Sequence, residues 1–299
     1  MTDTNNPLIA FSHATAALVE RAAGSVVAVH AGRRPASGIH WRSGIVVTAE
    51  EALEQDESIK LTLPGGAEVA ATLAGRDPTT DVAILRFAPD GLAVADTGAA
   101  AALRTGHMVL AVGSHQGAPL ASLGLVALAS GPWQSLRGGA IDSLIRLDIT
   151  LGPAAEGGAL IDAEGRVVGM AVLGPRRRVL AIPAATIDRV VDQLLAKGHV
   201  FRGYLGAGLQ PVRLADRALE AGGGRGVLVV SLDPDGPAAR AGLLVGDIVT
   251  AWDAKRISRV REVMGCLGSD SIGRTVELGL VRGGAPAAVK VVIGERAVA

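Results

Sequence analysis

Between Ser25 and Pro183 one short β-rich run follows another, and this constrains the fold more than any other feature of the sequence. SVVAVHA (25–31), GIVVTA (44–49), SIKLTL (58–63), HMVLAVG (107–113), SLIRLDI (143–149), RVVGMAVL (166–173) and RVLAIP (178–183) are among these runs. Val-, Ile- and Leu-rich runs at this density, punctuated by Gly and Pro, describe an antiparallel barrel or a pair of barrels. The 40 glycines suit the tight turns such a chain needs. Two helices bracket the β region. In residues 8–23, Phe11, Ala14, Leu18, Val19 and Ala22 recur at helical spacing, and residues 184–197 put Ile187, Val190, Val191, Leu194 and Leu195 on one face before Gly198. After GHVFRGYLG a second module begins, with GVLVVSLDP (226–234), a short helix around Arg259–Leu267, TVELGLVRGG (275–284) and AVKVVIGE (288–295). The expected organisation is an N-terminal helical segment (1–24), a β-rich domain (25–198) and a small α+β domain (199–299).

Charge and cysteine content narrow the function. Lys+Arg and Asp+Glu balance at 29 each, so no net field draws in nucleic acid or an anionic membrane. No apolar stretch approaches the roughly 20 residues of a membrane-spanning helix. A single cysteine, Cys266, excludes an intrachain disulfide. Beside Val263 and Leu267 it reads as a small buried hydrophobe rather than a reactive thiol. The opening MTDTNNPLIA is polar and acidic, without a basic region leading into an apolar one. The expectation is therefore a cytoplasmic protein, or a periplasmic one whose leader has been removed. No cofactor is expected.

Four segments occur in fixed order: SGIVVTAEEAL (43–53), DPTTDVAILRF (77–87), AVGSHQG (111–117) and LDITLGPAAEGGALIDAEGRVVGM (147–170). With the helix and RGYLG linker at 184–206, they resemble the HtrA family of trypsin-like serine proteases over nearly the whole chain. The resemblance implies two six-stranded barrels with an active site in the cleft between them, and a homotrimer built through the N-terminal end. The family's histidine pattern reads Thr48-Ala49-Glu50-Glu51-Ala52 here, so Glu51 stands at the general base. Asp81 matches the orienting acid. The nucleophile pattern reads Pro153-Ala154-Ala155-Glu156-Gly157-Gly158, which puts Glu156 at the serine.

These exchanges remove the chemistry that the family uses. A carboxylate with a reference pKa of about 4.3 is a poor base at neutral pH and cannot later protonate the leaving amine. Glu156 has no hydroxyl, and its charge opposes an oxyanion by about 4 kcal/mol at 4 Å and an effective dielectric of 20. Loss of a triad costs on the order of a million-fold in turnover. Ala154 replaces the glycine of the oxyanion loop, with Ala155 next to it, so the hole's geometry is also in question. Ser114 and His115 are strand neighbours that point apart and make poor partners. Glu51, Asp81 and Glu156 converging in one cleft need an account. They are open to water, or countered by arginine (Arg176, Arg177 and Arg178 are candidates), or they hold a hard cation such as Ca²⁺ or Mg²⁺.

Residues 204–295 resemble a bacterial PDZ domain through Tyr204-Leu205-Gly206-Ala207, the segment GPAARAGL (236–243) and Gly246-Asp247-Ile248-Val249. The resemblance implies capture of protein or peptide C-termini, with the 204–207 loop receiving the carboxylate and Leu205 and Met264 lining an apolar pocket. The expected function is an HtrA-like pseudoprotease scaffold, against two alternatives: an endopeptidase of protein quality control with unorthodox or assembly-dependent chemistry, and a cation-binding carboxylate cluster.

Overall fold

The computed structural model describes residues 6–89, 91–198, 200–214, 224–268 and 271–297. His199 and the outermost residues of the two terminal segments lie outside that set. The chain divides into two compact units, the second beginning at Val200.

The first unit contains the two barrels that the β-rich runs require. Strands β1 (Val26–His30), β2 (Pro35–Arg42), β3 (Ile45–Thr48), β4 (Ile59–Thr62), β5 (Glu68–Asp77) and β6 (Val82–Phe87) close in the order β1-β2-β3-β6-β5-β4. Strands β7 (Met108–His115) and β8 (Ala118–Ser130) close a second barrel with four later strands. These are β11 (Leu144–Asp148), β12 (Ala159–Ile161), β13 (Val167–Leu173) and β14 (Val179–Pro183), in the order β11-β14-β13-β12-β7-β8. A small hairpin, β9 (Trp133–Gln134) with β10 (Ala140–Ile141), rises from the connection between β8 and β11. Each barrel encloses its own apolar core: Val29, Val46, Leu61 and Leu85 in the first, Val109, Ile145, Leu160 and Val168 in the second. Among the described residues each of these sheets closes on itself.

Helix α1 (Pro7–Ala23) starts at an Asn6 cap whose side chain accepts from the Leu8 N–H. Its C-terminal end is anchored, with Ala22 buried and the Arg21 guanidinium donating to the Glu164 carbonyl. The apolar residues of its first turns are not covered: Leu8 is 77% and Phe11 47% exposed. Helix α2 (Ala184–Lys197) buries Ile187, Val190, Val191 and Leu194 and ends at Gly198 in the left-handed conformation. Its outer face holds the first barrel through Asp188, which accepts from the Trp41 indole N–H at 2.8 Å, and Asp192, which accepts from Arg42.

Among the described residues the second unit is a six-stranded sheet with two short helices. Its strands are β16 (Ala207–Arg213), β17 (Arg225–Leu232), β18 (Ile248–Trp252), β19 (Lys255–Arg256), β20 (Thr275–Arg282) and β21 (Ala285–Val292). The sheet runs β16-β17-β18-β20-β21, with β19 paired to β18. Strand β15 (Phe201–Tyr204) pairs with β22 (Gly294–Ala297). Helix α3 (Pro237–Arg240) and helix α4 (Val260–Cys266) complete a core around Val229, Trp252, Val263 and Leu278, against which Cys266 packs. Strand β16 is an edge of this sheet.

Candidate functional site

Antiparallel pairing of β3 with β6 sets Thr48 opposite Ala83, so the residues leaving β3 lie beside those entering β6. A single 3₁₀ turn, Glu50–Ala52, follows β3. The Glu51 N–H donates to Asp81 Oδ1 at 2.9 Å, and the Asp81 carbonyl accepts from the Glu50 N–H. The turn that presents Asp81 is built on the buried Asp77, whose carboxylate accepts from the Thr79 N–H, the Thr79 hydroxyl and the Thr80 hydroxyl. Asp81 itself has φ of 58°, a left-handed backbone uncommon outside glycine but tolerated by Asp and Asn.

Glu156 comes from the second barrel, at the end of a 3₁₀ turn, Pro153–Ala155, between β11 and β12. Its side chain accepts from the Leu173 N–H at 3.2 Å, and its carbonyl accepts from the Ser37 N–H. Ser37 is fully buried and ties this loop to both barrels. Its hydroxyl donates to the Ala154 carbonyl at 2.6 Å and accepts from the Ser114 N–H at 2.8 Å. Gly157 has no alternative here. With φ of 81°, a Cβ would stand 2.4 Å from the Ser37 carbonyl oxygen.

The fold therefore brings Glu51, Asp81 and Glu156 together, and adds Glu50, which sequence reasoning did not single out. Burial, reinforced by the charges of Glu51, Glu156 and Glu50, raises the Asp81 pKa to about 7 against the pull of the Glu51 N–H. Desolvation likewise raises Glu156, opposed by the Leu173 N–H and by the fields of Arg177 and Arg34. Glu51 points elsewhere for its charge partner, forming an ion pair with Arg137 at 3.1 Å. Glu50 is held between Arg76 at 3.2 Å and Arg137 at 3.5 Å. The expected counter-charge is thus corrected: Arg137, from the β9–β10 hairpin, and Arg76, from β5, make the ion pairs. Of the 176–178 run, Arg177 acts on Glu156 through its field. Among the described residues no group of three or more His, Cys, Asp or Glu side chains is placed to hold a metal ion.

The oxyanion loop turns its donors inward. The Glu156 N–H closes the 3₁₀ turn onto the Pro153 carbonyl at 3.1 Å, and the Ala155 N–H bonds to the Gly152 carbonyl. Ala154 sits comfortably in this helical turn, where a glycine's freedom is not needed. No described histidine lines either cavity bordering these carboxylates. Ser114 is buried and His115, the last residue of β7, is exposed. The larger cavity, about 790 Å³, opens beside Asp81 and Glu51; the smaller, about 100 Å³, lies between Glu51, Glu156, Arg34 and Arg177.

In the second unit, the Tyr204–Ala207 loop leads directly into edge strand β16. Its carbonyls are tied back: Leu205 O accepts from the Ala238 N–H and Gly206 O from the Asp233 N–H. The Leu205 and Gly206 N–H groups find no acceptor among the described residues. Gly206 is left-handed, and a Cβ there would come within 2.9 Å of Gly236. Leu205 is buried in the unit's core, while Met264 on α4 is 40% exposed.

Comparison with known proteins agrees with this architecture. Residues 36–170 match the family described as trypsin-like peptidase domain, and residues 203–293 match the PDZ domain family. The chain is 33% identical over 258 residues to a probable periplasmic serine endoprotease DegP-like of Bartonella henselae, covering 83% of this chain and 50% of that protein. A protein of the same name from Halomonas elongata is 33% identical over 84% of this chain and 54% of its own length. The chain thus spans about half the length of the curated relatives it matches. Among solved structures, the serine endoprotease from Yersinia pestis superposes with a TM-score of 0.74 at 28% identity, covering 93% of this chain and 97% of the other. An HtrA-type protease AlgW with tripeptide gives 0.75 at 26% identity, covering 94% and 97%. The solved HtrA-type structures share this arrangement over 93–94% of the chain. In domain content and order the chain is similar to HtrA-type and DegP-like serine endoproteases.

Proposed function

We propose that this chain is a pseudoprotease of the HtrA type, which binds peptides instead of cleaving them. The observation that carries the reading is the occupancy of the triad positions. Where a base and a nucleophile would stand, Glu51 is bound to Arg137 and Glu156 receives the Leu173 N–H. The inward Glu156 N–H adds support, because a donor already bonded to Pro153 has nothing to offer a developing oxyanion. Incubation of the purified chain with casein or a fluorogenic peptide tests this; no turnover above background is expected. Turnover abolished by Glu156→Gln would overturn the reading, whereas turnover that survives that change comes from a contaminant. The rival reading, an active endopeptidase, draws on the relatives' name and is decided by the same assay.

The peptide-binding half rests on the open edge of β16 and the two unaccepted N–H groups of Leu205 and Gly206. A peptide C-terminus laid along β16 would receive both, and Met264 would flank its last side chain. Amidating the terminus removes charge-assisted hydrogen bonds worth about 1.5–3 kcal/mol each and should weaken binding at least tenfold. Met264→Lys should block the same peptides. Binders indifferent to amidation would leave the groove without this role. The exposed apolar start of α1 supports a homotrimer, checked by light scattering against the 30.2 kDa monomer. The relatives' name favours the periplasm over the cytoplasm as the compartment.

A further inference from the structure

We propose that the larger cavity of the first unit is a binding site for a small amphipathic anion, an apolar chain ending in a carboxylate. Its walls include Leu128, Trp133, Ile141, Leu144, Leu180 and Ile182, and its volume of about 790 Å³ lies within the range of small-molecule sites. The charge around these walls is lopsided. Four arginines, Arg137, Arg146, Arg176 and Arg178, line the cavity with two acids, Glu51 and Asp81. Arg137 and Glu51 neutralise each other. Arg146, Arg176 and Arg178 have no carboxylate partner among the described residues. Asp81, raised by burial, is about half protonated near neutrality and offsets them only in part.

The loop carrying two of these arginines is held in a costly shape. Arg176 and Arg177 are both left-handed, with φ of 59° and 55°, and the Gly174 N–H closes the loop onto the Arg178 carbonyl at 2.8 Å. A merely solvated basic loop would relax its backbone and spread its like charges. This one keeps Arg176 and Arg178 on the cavity and sends Arg177 to the smaller cleft.

The same segment argues against a peptide as the occupant. An extended peptide needs main-chain donors, and the N–H groups on the border of the cavity at Leu173–Pro175 are already spent. The Leu173 N–H is taken by Glu156, the Gly174 N–H by Arg178, and Pro175 has no N–H. What remains is apolar surface and unpaired positive charge, which fits an alkyl chain with an anionic head.

Decanoate is the probe, titrated into the full chain below its micelle concentration and followed by calorimetry. One saturable site is expected, with decan-1-ol and decyltrimethylammonium each at least about tenfold weaker. The double variant Arg146→Gln/Arg178→Gln should lose that preference for the carboxylate while still binding decan-1-ol. Leu144→Trp should block both by filling the cavity; melting curves establish that each variant is folded, and the arginine variant decides alone if Leu144→Trp is not. Met264→Lys should change nothing, which separates this site from the carboxylate-receiving loop of the second unit. Equal binding of decanoate and decan-1-ol, loss of decanoate binding in Met264→Lys, or binding only of acidic peptides would each overturn the proposal.

Discussion

Replacing Asp81 with Asn should stabilise the protein above neutrality and do almost nothing in acid. Burial and three neighbouring carboxylates raise Asp81 from 3.8 to about 7. The sign follows from which state holds the proton. Between those two values the folded chain binds a proton that the unfolded chain does not, so stability falls as pH rises through this window. At about 1.4 kcal/mol per pH unit, the folded state carries a penalty of about 4 kcal/mol once the pH exceeds both values. Below pH 4 the penalty is absent. Asn imitates the protonated acid closely. Its amide oxygen still accepts the Glu51 N–H, and Asn tolerates the left-handed φ of 58° better than most residues. For a unit of this size, 4 kcal/mol corresponds to roughly 8–16 °C in Tm. Calorimetric or circular-dichroism melts of both proteins at pH 4 and pH 8 test this. The Tm gain should be of that order at pH 8 and close to zero at pH 4. An equal gain at both pH values would refute the electrostatic argument and assign the effect to the backbone.

Other substitutions probe the same framework. Glu156→Gln should raise Tm above neutral pH by a few degrees, because desolvation raises this carboxyl and the amide oxygen can still accept from Leu173. Glu51→Gln should shift Tm by no more than about 2 °C, since its pair with Arg137 is exposed and such pairs are worth about 0–1 kcal/mol. Ser37→Ala should cost about 2–4 kcal/mol in urea unfolding, by leaving the buried Ser114 N–H without its acceptor and freeing the Ala154 loop. In the second unit, Arg282→Met should lower the urea midpoint at pH 7, because it removes the guanidinium partner of Asp247, whose side chain is 2% exposed. Asp247 is lowered chiefly by its hydrogen bond from Arg282, so its contribution is present above the unfolded pKa of about 3.9 and lost as pH falls through the folded value.

What the sequence discloses and what it hides differ in range along the chain. The barrels are legible because strand runs and glycine turns are local, and the resemblance supplies their closure. The positions of Glu51, Asp81 and Glu156 are legible because each sits in a short motif at a strand end. Their electrostatic environment is not. Arg137 reaches Glu50 and Glu51 from a hairpin on the other barrel, and nothing in the sequence around Leu136-Arg137-Gly138-Gly139 marks it as a partner for residues so far away. The arginine run was conspicuous because it is contiguous, yet contiguity on a loop says little about direction; φ at Arg176 and Arg177 decides where those charges go. Glu50 carries no mark in the sequence, where it is only the neighbour of the position that matters. In three dimensions it is the most enclosed of the two adjacent glutamates, clamped by Arg76 and Arg137. A serine protease needs an imidazole and a hydroxyl at this point, both of which can be neutral in the resting site. Here the same fold carries acids and balances some with arginine while leaving Asp81 to hold its proton, so the cleft has become an ion-pair network with a proton-binding group at its centre.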